Sequence, residues 1–356
     1  MLKDFAGCFD SASRVTLIAK RTKGRISFLR GWYTRLVLTI AIGAVVFTNC
    51  SSSADTKLKQ ITIAQYGHFL LYLPLYVARD KGYFKEEGLD VNLVSTGGDE
   101  KTFTAVTTGN AQFGVSDPTF VAIARQRGQG GKIVAGIVRR FPFAIMTFRS
   151  DIKEIKQPSD FSGYRIASLP APSTCYAAIT KILNNDGHPV KAKIVQGAYG
   201  SLPAILKANQ ADMLMDFEPN VSILKQQGAR ILYSTTSYFG DAAFTGLMVS
   251  DSYAKSNAKD IQAAVNAVAK AMKFIQQDSP GSVAVARQEF PEIPESILKD
   301  ALTRAKSEGT VPASPMLSKD AWDRAIALRK EIGDFHGSGS YVENVDMTFA
   351  KNALKQ

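Results

Sequence analysis

Cysteine and histidine are scarce, with three of each in 356 residues. Cys8, Cys50 and Cys175 form no C-x-x-C pair, and His68, His188 and His336 stand alone, so no zinc-ligand spacing is present. H-E-x-x-H, G-x-S-x-G and G-x-x-x-x-G-K-[ST] are all absent, which removes the common metalloprotease, serine-hydrolase and phosphate-loop readings. Gly128–Lys132, GQGGK, comes nearest to a phosphate loop, but it precedes a strand rather than opening a helix and reads as a turn. His188 and His336 sit beside glycines in surface-type turns. The sequence therefore nominates no catalytic residue, no metal ligand and no cofactor.

The sequence also lacks a run of about 20 apolar residues, the length that spans a bilayer. Residues 36–47, LVLTIAIGAVVF, are too short for that and fit the apolar core of a secretory signal behind Arg30 and Arg35. Cys50 follows at once and leads into Ser51-Ser52-Ser53. That order resembles a bacterial lipoprotein signal, in which the cysteine becomes the lipidated first residue. Asn49 departs from the Gly, Ala or Ser usual before it. The reading is a signal over residues 1–50, lipidation at Cys50 and a polar tether over 51–57. Cys175 would then be the one remaining thiol, and no internal disulfide could form.

A basic nucleic-acid face is missing as well. The formal charge is +11, but residues 1–50 hold eight Lys/Arg against two Asp/Glu, and the remainder is nearly balanced. No basic stripe marks the folded part, so no nucleic-acid partner is expected.

What is present is an ordinary globular composition, 45% hydrophobic and 21% charged, over a length that suits two domain-sized units. A strand–loop–helix grammar repeats along it. Ile61–Gln65 reads as a strand, Pro74 opens a helix that stops at Gly82, and Leu89, Val91 and Leu93 alternate as in a half-buried strand. Asp99 is placed to cap a helix over 100–108, and Asp117-Pro118 to open the next. The grammar restarts near 151, with strands at 164–168, 193–196, 212–216 and 229–233 and helices at 173–184 and 219–227. Phe244–Ser250 reads as a buried strand, followed by helices at 258–277, 295–305 and 319–332. The expected fold is α/β, with a first lobe over 58–148 plus 244–356 and a second over 149–243. Two chain crossings would form a hinge of the kind that closes around a ligand.

Ligands in open α/β sheets lie beyond the carboxyl ends of the strands. The candidate loops there are Tyr66-Gly67-His68, Gly98-Asp99 and Ser116-Asp117 in the first lobe. Pro172-Ser173-Thr174, Gly197–Ser201 and Asp216 with Glu218 are their counterparts in the second. Most open helices, whose unpaired N–H groups favour an anion, though each capping residue could equally serve its own helix. Tyr66, Phe69, Tyr72, Phe120, Tyr199, Phe217 and Phe244 cluster nearby and suit an organic ligand, or simply core packing. Asp216 or Glu218 could receive a ligand amine. His68 reads as a ligand contact. Arg139 and Arg140 lie at a strand end and could line the cleft or face solvent.

PLYVARDKGYFKEEGLDVNLV, residues 74–94, resembles the opening signature of substrate-binding proteins of nitrate/sulfonate/taurine-type ABC importers, a group that includes binding proteins for thiamine pyrimidine precursors. Later blocks are similar in the same order: residues 109–128, 160–179, 212–224 and 345–354. The resemblance covers residues 58–355. It implies a two-lobed periplasmic-binding-protein fold of type II, each lobe an open sheet with flanking helices. It also implies a small organic anion or heteroaromatic ligand of the sulfonate, nitrate, taurine or pyrimidine-precursor class, with permease and ATPase partners; with the signal it points to a monomer exported to a bacterial periplasm or cell surface and held at the membrane by its lipid anchor. The same superfamily contains thiamine pyrimidine synthase, an enzyme similar to this chain around 74–93. Its CCCFC segment has no counterpart here, its donor histidine would fall near Phe120, and its Gly-Glu-Phe-Gly loop near Leu169–Pro172. A non-enzymatic binding role is therefore expected, with that enzyme type or a ligand-sensing lipoprotein as alternatives.

Overall fold

The computed structural model describes residues 57–355, so the signal, Cys50 and nearly all of the tether lie outside the described residues. Among the described residues, ten strands fall into two sheets. The first sheet holds β1 (Lys59–Gln65), β2 (Leu89–Ser95), β3 (Phe113–Ser116), β4 (Gly131–Arg140) and β10 (Asp241–Ser250) in the order β2-β1-β3-β10-β4. The second holds β5 (Ala144–Thr147), β6 (Arg165–Ser168), β7 (Lys193–Gln196), β8 (Met213–Asp216) and β9 (Arg230–Ser234) in the order β7-β6-β8-β5-β9.

Both sheets are mixed. β1 pairs in parallel with β2 and β3, β6 with β7 and β8, while β10 and β5 run antiparallel to their neighbours. The inner strands are buried on both faces, as a helix-covered sheet requires, and β3 and β8 are buried throughout. Gly131 shows why GQGGK is a strand entry. A Cβ there would stand 2.3 Å from the Val249 carbonyl oxygen, where β4 pairs with β10.

The sheet crossings fall earlier than the sequence suggests. β5 hydrogen-bonds to β8 and β9 of the second sheet, and β10 already pairs with β4 from Asp241. The connecting segments are thus 141–143 and 235–240 rather than points near 149 and 244. An apolar run such as 144–148 carries no sign of which sheet will take it; only its pairing partners decide. Thr235 ties the two segments together: its hydroxyl donates to the carbonyls of Phe141 (2.8 Å) and Phe143 (3.0 Å) and accepts from the Phe143 amide (3.1 Å). Arg139 and Arg140 both pair with Asp241 beside this crossing, so they brace the connection instead of lining the cleft.

The C-terminal helices do more than complete the first lobe. Helix 258–277 buries Ile261, Val265, Val268, Met272 and Ile275 at helical spacing, each worth about 1.5–3 kcal/mol on full burial. Helix 319–331 packs on β10 and on helix 174–184 of the second lobe, and helix 295–307 packs on helix 220–226. Among the described residues no helix is long and apolar enough to cross a membrane.

Candidate functional site

The carboxyl ends of the strands of both sheets meet at a cavity of about 40 Å3. Tyr66, Phe69, Leu71, Tyr72, Asp99 and Asp117 come from the first lobe. Leu169, Ser173, Thr174, Cys175 and Phe217 come from the second, and Phe143, Phe244 and Thr245 from the crossing strands and their flanks. A second hollow of about 220 Å3 shares Tyr66, Asp99 and Ser173 and adds Gly98, Lys101 and Pro172, forming a mouth to the first. The inner cavity is far below the 300–1,000 Å3 of drug-sized sites.

Aromatic rings form the walls. Gly67 lets Phe69 fold back over the loop, since a Cβ there would meet the ring at 2.7 Å. Phe69 then contacts Tyr66 and Tyr72 of its own lobe, with centroids 5.3 and 5.5 Å away, and Tyr199 and Phe217 of the other at 4.6 and 5.4 Å. Tyr199, 41% exposed, stacks on Phe217 and covers this end from outside.

The floor is polar and spans both lobes. Asp117 accepts from the amide and hydroxyl of Thr119 at 2.8 and 2.6 Å, from Arg329 Nη2 at 2.6 Å, and from the Thr174 hydroxyl. Arg329, on helix 319–331 and 1% exposed, also donates to the Thr174 hydroxyl (3.1 Å), the Pro172 carbonyl (3.0 Å) and Asp334 (2.9 Å). One guanidinium therefore binds Asp117 and Thr119 in the first lobe and Pro172 and Thr174 in the second.

Asp99 was expected as a helix cap. Its helix instead begins at Asp99 itself with Gly98 before it, and the Asp99 carboxylate accepts the Asp117 amide at 2.9 Å. Burial, reinforced by the neighbouring Asp117 charge, pushes the Asp99 carboxyl up to about 7. Burial also pushes the Cys175 thiol up to about 12, which keeps it out of the thiolate form that nucleophilic chemistry needs.

Of the expected site residues, Tyr66, Asp99, Asp117, Ser173 and Thr174 line the inner cavity, and Gly98 and Pro172 line its mouth. Ser173 also caps helix 174–184, accepting the Tyr176 amide. Gly67 acts through Phe69, and Ser116 is buried beside Asp99 without reaching the cavity. The structure does not bring in His68, Asp216 or Glu218. The His68 ring packs between Tyr76 and Phe290 and bonds the Glu289 carbonyl, so it anchors the C-terminal helix 279–289. Asp216 accepts the Phe217 amide and the Asn220 side chain, closing its own turn. Glu218 is held by Ser222 and by Arg304 at 2.6 Å, a buried tie to helix 295–307. Sequence reading missed Arg329, Phe143, Leu169, Cys175 and Thr245 as parts of this site.

A cavity shared by two mixed α/β sheets, closed from both lobes and backed by a two-segment crossing, defines the periplasmic-binding-protein fold. Solved structures agree: the ligand-binding component of an ABC-type import system from Staphylococcus aureus superposes with a TM-score of 0.68, covering 83% of this chain and 99% of that one at 15% identity. The sequence profile of the NMT1/THI5-like family matches residues 71–280, and the chain belongs to that family. Among relatives, YtlA of Bacillus subtilis, classed by its name as a binding protein, is 22% identical over 322 residues, 88% of this chain and 95% of its own. The riboflavin-binding protein RibY of Chloroflexus aurantiacus is 23% identical over 259 residues, 67% of this chain and 73% of its own.

Proposed function

We propose that this protein is the substrate-binding component of an ABC importer. It takes a small organic ligand between its lobes and hands it to a membrane permease. The observation that carries this reading is the cavity whose walls come from both lobes and from the crossing between them. Such a site is formed by closure and lost on opening, so ligand affinity and lobe position are linked. Capture and release need nothing else from the chain. Family membership and relatives named for binding support the reading.

Export and lipidation at Cys50 belong to the same proposal, because an importer's binding component works outside the membrane its permease spans. Cys50→Ala is expected to leave the precursor unprocessed and free of the membrane. Unchanged processing and attachment would contradict the anchor.

A native mass spectrum of the purified full chain tests the capture role. A retained small organic mass is expected. Added back at a hundredfold excess over Kd, that compound should stabilise the fold by about 2.7 kcal/mol. A chain that retains nothing and is stabilised by no cell-extract metabolite would sink the importer reading.

A further inference from the structure

The pole of the first lobe remote from the cavity carries a second surface. β1, β2, β3 and β4 run in one direction and start there, at Lys59, Leu89, Phe113 and Gly131, while β10 ends there at Ser250. Tyr66 follows β1 and lines the cavity, so β1, seven residues long, sets the pole about 20 Å from the site. The two most exposed large apolar side chains among the described residues, Val342 at 78% and Leu354 at 53%, lie at this pole. Val342 belongs to helix Tyr341–Asn344, which is tied to the start of β4: its carbonyl accepts Lys132 Nζ at 3.2 Å, and Val345 bridges to Ile133. Leu354 follows helix Thr348–Ala353, which Gln262 holds against the start of helix 258–277. Gln262 donates to the Phe349 carbonyl at 3.0 Å and accepts from the Asn352 side chain at 3.2 Å. Asp260, two residues earlier, pairs with Lys59 and accepts the Tyr253 hydroxyl at 2.9 Å.

Lysines surround these side chains. Lys57, Lys255, Lys259, Lys351 and Lys355 are exposed, and none makes an ion pair among the described residues, whereas the nearby Asp260 and Asp251 are spent on Lys59 and Arg125. Glu343 is the exposed acid beside them. An exposed Val or Leu alone means little. Two of them among unpaired lysines match a bilayer interface, where anionic headgroups take ammonium groups and apolar side chains reach the acyl boundary. The course of the chain says which surface covers this face. The eight residues between Cys50 and Lys59 span at most about 30 Å, and they join the fold at this pole.

Resting on the importer reading with Cys50 lipidated, we infer that this pole of the first lobe docks on the anionic headgroups of the membrane that holds the anchor. The five lysines meet the headgroup phosphates, and Val342 and Leu354 enter the interface. The cavity is then held about 20 Å beyond the pole, clear of the bilayer, where it captures ligand from the medium. Delivery to a permease requires the pole to lift on its tether, so anionic lipid and salt set how readily the protein leaves its capturing pose.

The test uses the full lipidated chain in vesicles of phosphatidylcholine, with and without phosphatidylglycerol. An environment-sensitive fluorophore is placed through a bio-orthogonal side chain at Val342, at Leu354 or, as a control, at the exposed Lys193 on β7 of the second lobe. With phosphatidylglycerol present, brominated lipid should quench the probes at 342 and 354 about threefold more than the probe at 193, and raised salt should remove most of the difference. Lys255→Glu with Lys259→Glu should remove it as well, and so, independently, should Lys351→Glu with Lys355→Glu; circular dichroism checks that each pair is folded. Equal quenching at all three positions, or quenching that ignores phosphatidylglycerol, overturns the inference and leaves the anchor and the importer reading standing. A blue shift at 342 and 354 without quenching means that a second copy covers this face, and overturns it too. A chain that does not float with the vesicles overturns the anchor, and this pose with it.

Discussion

Arg329 is the residue on which the site's floor depends, because it answers the buried Asp117 charge while touching both lobes. Replacing it with Met leaves Asp117 buried and unpaired, which costs about 3–5 kcal/mol. Chemical denaturation of Arg329→Met should show that loss; a change below about 1 kcal/mol would mean that the ion pair does not hold the floor together. Asp99 predicts a pH dependence. Its folded carboxyl lies at about 7 and its ordinary value at 3.8, so between those values the native state holds a proton that the unfolded chain has released. Stability contributed by this group is complete below about pH 4 and is lost as pH rises toward 7, at up to about 1.4 kcal/mol per pH unit. Asp99→Asn should flatten that part of the curve measured by thermal unfolding from pH 4 to 8, and an unchanged slope would exclude Asp99 as its source. Asp216, raised to about 7 by burial, contributes a slope of the same sign that the variant retains. At this scale the sequence was only half legible. Asp99, Asp117, Ser173 and Thr174 announce themselves by lying next to strand ends, whereas Arg329 sits 212 positions from Asp117 near the end of an otherwise charged helix. Nothing local distinguishes it from Lys330, which is exposed.

Elements carry the site because strand ends and helix starts coincide at its loops. β1, β3, β6 and β8 each stop where a cavity loop begins, and these were readable from apolar runs followed by Gly, Pro, Ser or Asp. The helix caps were readable in kind but not always in use: Ser173 caps its own helix, while Asp99 turns to a neighbouring loop. Sheet membership was not readable for 144–148, since the pairing that places β5 is set by partners 68 or more residues away. Helix 174–184 meets the first lobe through Thr174, whose hydroxyl donates to Asp117 and accepts from Arg329. Thr174→Val removes both bonds at nearly constant volume. The variant should favour the open arrangement, releasing ligand about tenfold faster in stopped-flow measurements with the fold intact. Unaltered release would show that this contact does not hold the lobes together.

Residues 57–355 form two α/β lobes joined at 141–143 and 235–240 and spanned by C-terminal helices. Its architecture was legible because the strand–helix grammar repeats, and the family blocks run through both halves. The bridging role of helices 295–307 and 319–331 was not, because an amphipathic helix records that one face is buried without recording against what. The inner cavity of about 40 Å3 is small for an organic ligand, and the proposed function predicts that the lobes separate and close again on binding. The most direct test places fluorophores, through bio-orthogonal side chains, at the exposed Asn92 on β2 and Lys193 on β7, which lie on edge strands of the two sheets. Single-molecule energy transfer should resolve two inter-lobe distances, and the retained ligand should shift the population to the shorter. A single distance, unchanged at saturating ligand, would contradict binding by closure between the lobes.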